Sequence, residues 1–434
     1  MNLLHFSNSD IRGGAAQATY QLHSMLREAG HRSVLAVRRK DSADPDVVRI
    51  GTRSLGGANW SERLERSRAW LTGGYSAAPV PFRNFNCNLA PVPDLYAALN
   101  AMPRPDIIFL HWINELLTVA DIRRLARRAG CPLVWVLMDL EPIAGGCHYP
   151  GDCTRFREVC HHCPQLKVNG PKDRSWQNWR EKRRQLADLP ITFLAPTGWA
   201  TRHLAESSLF GGHRRVQIPL PVSPSMKPLD RNLARQVLTL PADKKIILVG
   251  SHNLQDPRKG MDRLIKAAHL IAARKTAADA PAFEKNDILF LLMGNNTRAL
   301  AAELPFPTRN MGYVHSEIEL ALAYQAADVF ASPSLEDAGP MMVSQSMQCG
   351  TPVVAFDMGI APELITSGEN GYIARLGDAA DLALGLETML AGDGSVGRRA
   401  ADVASHHHDP RRIAPLYADL LDDLTRRPEG PCGS

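Results

Sequence analysis

Three short segments combine residue types that could hold an anion. In DPRKGMDRLI, Arg258 and Lys259 stand just before Gly260 and the start of a helix that follows an apolar strand. A guanidinium fork and an ammonium beside helix N–H groups suit a diphosphate, although an isolated RKG also reads as a solvated basic turn. In PSLEDAGPMMVSQSMQ, a strand feeds Glu336 and Asp337, then Gly339 and Pro340, then a helix. Proline suits a first helical turn, where a missing N–H is harmless. The N–H groups of Met341 and Met342 can then face an anion, with Gln345 about one turn further along. Acids at a strand end beside such a helix can bind the hydroxyls and phosphates of one nucleotide sugar. Gly13-Gly14, a tight turn between the first strand and a helix, is a third anion-ready position. GxGxxG is absent there, which disfavours a dinucleotide-binding dehydrogenase.

A fourth segment carries different chemistry. Cys147-x5-Cys153-x6-Cys160-x2-Cys163 holds four of the eight cysteines, enough for a closed tetrahedral zinc site of structural type. His148, His161 and His162 are alternative ligands, and reduced thiols or a disulfide pair remain open readings. His406–His408 invite a metal reading, but consecutive helical residues diverge by about 100° and cannot all face one ion; they read as a solvated helix start. Ser175–Gln185 (SWQNWREKRRQ) alternates Trp with cations. It reads first as a solvated helix face and second as a face for anionic headgroups or an anionic acceptor, not as a nucleic-acid site.

The elements that must position these groups alternate as short apolar strands and amphipathic helices, the pattern of α/β layers with parallel sheets. Asn2–Phe6, Ser33–Val37, Asp106–Leu110, Leu133–Leu137 and Ile191–Ala195 read as strands of a first Rossmann-like lobe. PLPVSPSMKP, beginning at Pro219, reads as a linker. KKIILVG ending at Gly250, ILFLLMG ending at Gly294, Asp328–Ala331 and Pro352–Phe356 supply strands of a second lobe. The expected division is 1–218 with the Cys-rich segment at 145–166, a linker at 219–227, a second lobe at 228–405, and a C-terminal helix at 406–427 returning to the first lobe. Residues 51–100 yield no pattern. A length of 434 residues accommodates two such lobes, with a cleft between them. The excess of 50 Lys+Arg over 45 Asp+Glu, a formal +5, is compatible with anionic ligands and too small to imply nucleic acid. No apolar run approaches the ~20 residues of a membrane span. The N-terminus turns polar by Ser7, too soon for a signal peptide, so a cytoplasmic protein is expected.

The pattern YxxADVFxxPSxE…CGTPVVAFxxGxxPELI, placed after RKG, resembles the family 4 retaining glycosyltransferases of GT-B fold. GGAAQATYQLHSMLREAGH is similar to the family's acceptor-lobe opening. HWIN (His111–Asn114) and GGCHYPGDC…CHHCPQL resemble a polysaccharide-assembly subgroup with a Cys-rich insertion. The resemblance implies a UDP- or GDP-linked sugar as donor, and a glycan acceptor, lipid-linked or an exopolysaccharide or lipopolysaccharide precursor. It further implies hexosyl transfer with retention by front-face attack and metal-independent catalysis without a cofactor; peripheral contact with an anionic membrane at the cytoplasmic face goes with the second reading of Ser175–Gln185. On the donor side it implies Gly14, Arg258, Lys259, Glu336, Asp337, Gly339, Met341, Met342 and Gln345. On the acceptor side it implies Gly13, Gly14, His111 and Asp139, with Lys259, Asp337 and His111 as the catalytic set.

Two departures bear on this. The family's E-x7-E falls on Asp337 and Gln345, so neither glutamate is present. Where the family commonly has His-Asp at a strand end, this chain has Met138-Asp139, and His111 is the imidazole that could stand in. These departures motivate a rival reading, a GT-B-shaped binding or scaffold protein with impaired catalysis. A phosphorylase on the same fold is a third.

Overall fold

The computed structural model describes residues 1–50, 99–100, 102–274, 283–284, 286–392 and 394–426. The unpatterned stretch from 51 to 98 and the terminal PEGPCGS therefore lie outside the described residues, as do Cys87 and Cys432. The chain forms two compact units, Met1–Pro221 with Pro410–Ser434, and Val222–Asp409.

The first unit is built on a seven-stranded parallel sheet. Its strands are β1 (Asn2–Ser9), β2 (Arg32–Arg39), β3 (Val47–Arg49), β4 (Ile107–Leu110), β5 (Leu133–Val136), β6 (Ile191–Ala195) and β7 (Arg215–Gln217), in the order β3-β2-β1-β4-β5-β6-β7. β4, β5 and β6 are buried at every position, which explains their unbroken apolar runs. β1 pairs with both β2 and β4, so the strand order reverses there. In open α/β sheets such a switch point marks the ligand side, beyond the strands' carboxyl ends.

Local sequence sets the helices around this sheet. The helix Gly14–Glu28 starts at Gly13, whose φ of 86° few side chains would tolerate. Val119–Ala129 begins with a capping box, in which Thr118 Oγ1 accepts Asp121 N–H at 3.1 Å and Asp121 Oδ2 accepts Thr118 N–H at 2.9 Å. Asp173 caps Arg174–Leu186 through Ser175 and Trp176 N–H, and its second oxygen accepts Cys163 N–H at 2.7 Å. That contact ties the helix to the Cys-rich segment. Within the Trp-and-cation stretch, Trp179 and Lys182 are buried, so this helix packs one face inward. Arg180 and Lys172 flank the Trp176 ring. The helix Pro410–Thr425 packs on the first unit, burying Ile413, Tyr417 and Leu421.

The second unit holds a six-stranded parallel sheet in the order β10-β9-β8-β11-β12-β13. Its strands are β8 (Lys245–Asn253), β9 (Ile288–Asn295), β10 (Thr308–Gly312), β11 (Val329–Ser332), β12 (Val353–Phe356) and β13 (Gly371–Ala374). β8 runs past Gly250, where its end was expected. The missing Cβ there leaves room for the Met342 side chain. β3, β10 and β13 were not foreseen, being short or less than fully buried. His406–His408 close the helix Ser395–His408 instead of opening one; the next helix begins at Pro410, and His408 is buried. Among the described residues no helix is long and apolar enough to cross a membrane.

Candidate active site

In the second unit, the loops after β8 and β11 are knitted together. Pro257–Lys259 form a single 3-10 turn capped by Asp256, and Gly260 follows with φ 65°. A Cβ at Gly260 would collide with Pro333 O, so this residue must be glycine both for its backbone and for the approach of the second loop. Arg258 O accepts Leu335 N–H at 2.7 Å, and Arg258 Nη1 donates to Glu336 O at 3.1 Å. Lys259 Nζ donates to Asp337 Oδ2 at 2.5 Å.

The sequence-derived cations are thus already paired, Arg258 with Asp256 at 2.6 Å and Lys259 with Asp337. Burial would raise the Asp337 carboxyl, but the Lys259 and Arg258 charges and the Gly339 N–H hold it below the usual carboxylate range. Asp337 is therefore ionised, with Lys259 as its counter-charge. The helix Met341–Gln348 starts one residue after Pro340, which occupies the N-cap and not the first turn, and no side chain caps it. Gln345 is buried, and its Oε1 accepts the Tyr324 hydroxyl at 3.1 Å. The structure brings Arg258, Lys259, Glu336 and Asp337 together, with Gly339 folded back onto Asp337 at 3.2 Å.

One group was legible only as a loop. His252, at the end of β8, meets Tyr313 edge-on at 5.2 Å, and Tyr313 meets His315 at 4.7 Å. Burial, and then the Lys259 charge, push the His252 imidazole below its usual range. Aromatic residues at the end of β8 and just after β10 were the available signal.

In the first unit, the expected acceptor side is reorganised. His111 turns into the core. Its Nε2 lies 2.9 Å from His5 Nδ1, the rings stack, and burial pushes its imidazole down to about 3. It does not take the place of the histidine missing at Met138. The imidazole at this strand end is His148, from the Cys-rich segment. Its Nδ1–H donates to Asp139 Oδ2 at 2.6 Å, since a carboxylate only accepts. Trp112 Nε1–H donates to the same oxygen at 2.9 Å, and Glu141 N–H to Asp139 Oδ1 at 2.9 Å. The Asn114 amide donates to His148 Nε2 at 2.6 Å. Lys182 supports this loop from below through Glu141 Oε1 at 2.8 Å, Glu141 O, and Ala144 O at 3.0 Å.

Cys147, Cys153, Cys160 and Cys163 line one small pocket with His161. Burial pushes the Cys160 and Cys163 thiols up to about 11, and raises Cys147 well above the usual thiol range. Among the described residues no three His, Cys, Asp or Glu side chains are grouped to hold a metal ion, and His148 is committed to Asp139. The expected zinc site is therefore not supported.

Two parallel sheets with these connections define the GT-B fold. Sucrose-phosphate synthase from Thermosynechococcus elongatus superposes with a TM-score of 0.67 at 17% identity, over 98% of this chain and 99% of that one. Anabaena HepE, solved in complex with UDP and glucose, superposes with 0.65 at 17% identity, over 98% and 100%. Over residues 243–392 the chain matches the profile of the group 1 glycosyl transferases, in keeping with the resemblance to family 4. D-inositol 3-phosphate glycosyltransferase of Mycolicibacterium vanbaalenii is 33% identical over 214 residues, 47% of each chain. Phosphatidyl-myo-inositol mannosyltransferase of Mycobacterium leprae is 30% identical over 154 residues, 35% of this chain and 38% of that one. The chain thus spans less than half the length of these curated relatives.

Proposed function

We propose that the chain is a glycosyltransferase that moves a hexosyl group, with retention, from a nucleotide-diphosphate donor to a glycan acceptor. The observation that carries this reading is the Arg258–Lys259–Asp337 cluster beside the helix Met341–Gln348, in a region of group 1 glycosyl transferase sequence. Lys259 and Arg258 hold the diphosphate as negative charge builds on it, and stabilising that leaving group is the main catalytic term. Asp337 accepts a hydroxyl of the transferred sugar once Lys259 turns to phosphate, and Glu336, Gly339, Met341, Met342 and Gln345 border the donor. Gly13, Gly14 and Asp139 lie on the acceptor side. No metal or organic cofactor is needed for this step. HepE was solved with UDP and with UDP-glucose, which supports a uridine donor. The mannosyltransferase relative is named for phosphatidyl-myo-inositol, which supports a lipid-linked acceptor met at an anionic membrane face.

Calorimetry with UDP and GDP, followed by a transfer assay, tests the reading. Lys259→Ala should weaken diphosphate binding at least tenfold and abolish most transfer. Unchanged binding and transfer in that variant would refute the phosphate site, and binding without turnover in the wild type would favour a scaffold.

A further inference from the structure

The glycosyltransferase reading names a glycan acceptor without a subsite for it, and the first unit offers one. The loop after β4 brings Trp112 and Asn114, the loop after β5 brings Asp139, and the Cys-rich segment brings His148 to one point. This point lies beside β1, where Asn8 N–H donates to Trp112 O at 2.8 Å and the Asn8 amide to Asn114 O. It is therefore the carboxyl-end side of the sheet at its β1/β4 switch.

Burial divides these groups. Asn114, Asp139 and His148 are at least nine-tenths buried, whereas Trp112 is only half-buried. The indole N–H is held by a carboxylate that His148 and Glu141 N–H also restrain, so the ring plane is fixed. The Trp112 and His148 rings lie 5.8 Å apart at 35°. A pinned, half-buried indole with buried polar groups at its edge matches a pyranose. The sugar's C–H face rests on the electron-rich ring while its hydroxyls meet the polar edge. Because the indole is immobilised beforehand, little further side-chain freedom is lost when a ring lands on it.

We propose that Trp112, Asn114, Asp139 and His148 form a subsite for one pyranose ring of the acceptor, with the ring on the indole and a hydroxyl directed to the Asn114 side-chain amide. The inference rests on the glycosyltransferase reading, and it names the acceptor class as a glycan and not a free cyclic polyol. Asp139 and His148 are positioning residues: they hold Trp112 in place.

Saturation-transfer NMR on the full chain tests this, using the methyl glycosides of glucose, galactose, mannose and N-acetylglucosamine, with myo-inositol as the ring without a glycosidic oxygen. At least one pyranoside should bind. Trp112→Ala should weaken it tenfold or more, and Trp112→Phe, which keeps a face but loses the N–H, about threefold. His148→Asn, which can still donate to Asp139, should bind better than His148→Ala. Calorimetric UDP binding should be unchanged in all four variants. Absence of pyranoside binding, binding indifferent to Trp112→Ala, or binding of myo-inositol alone would overturn the subsite. Failure of the wild type to bind UDP would instead overturn the donor reading, leaving the subsite to stand or fall on the pyranoside result.

Discussion

Lys259 and Asp337 are joined as an ion pair, Nζ to Oδ2 at 2.5 Å, across two loops 78 residues apart in sequence. The carboxylate positions the ammonium and also offsets part of its charge. On the proposed function, an incoming diphosphate competes with Asp337 for Lys259.

That competition has a measurable sign. Asp337→Asn removes the offset and should raise inorganic pyrophosphate affinity about fivefold, close to 1 kcal/mol, which is the scale of a partly exposed pair. Transfer should fall at least tenfold in the same variant, because the sugar hydroxyl loses its charged acceptor. Calorimetry and the transfer assay together check this, and a parallel fall in both quantities would contradict the competition.

Gly260→Ala is expected to be costly. It places a Cβ against Pro333 O at a backbone φ of 65°. Strain of this kind is worth about 1–3 kcal/mol, so thermal unfolding should move down by several degrees. Gly14→Ala, with open space around its Cβ, should leave the transition nearly in place.

The buried Lys182–Glu141 pair predicts non-additivity. Lys182→Met should cost about 3–5 kcal/mol by stranding the Glu141 charge. Lys182→Met combined with Glu141→Leu should recover part of that loss, and chemical denaturation of the double variant and of each single one measures the coupling. Full additivity would mean that the two side chains do not interact.

Three buried imidazoles set an acid limit. Burial depresses His5, takes His23 down to about 4, and takes His111 down to about 3. The unfolded chain binds their protons near pH 6.5, so stability is present above that pH and is lost as pH falls toward the folded values. Each imidazole held neutral at pH 5.5 costs about 1.4 kcal/mol. Denaturant midpoints between pH 7.5 and 5 should fall accordingly, and His23→Gln should flatten the curve. A flat wild-type profile would rule this out.

Much of the fold was legible because strands buried on both faces leave uninterrupted apolar runs, as in Ile107–Leu110 and Leu133–Val136. Gly371–Ala374, partly exposed and opened by glycine, leaves no such trace. Arg258, Lys259 and Asp337 were visible as residue types at strand ends, but their pairing depends on loop packing that no local pattern encodes. His148 shows the limit most plainly. Among neighbouring cysteines it read as an alternative metal ligand, and only the fold brings it to Asp139. His111 failed in the opposite way: a strand-end histidine looks available, yet its ring turns inward onto His5.

Gly260 seated against Pro333, with Arg258 and Lys259 reaching the backbone and side chain of the opposite loop, couples these two turns mechanically. An insertion in either would displace cation and carboxylate together, so the pair is poor ground for evolutionary tinkering. Change is better accommodated along His252, Tyr313 and His315, whose ring–ring contacts can be altered one residue at a time.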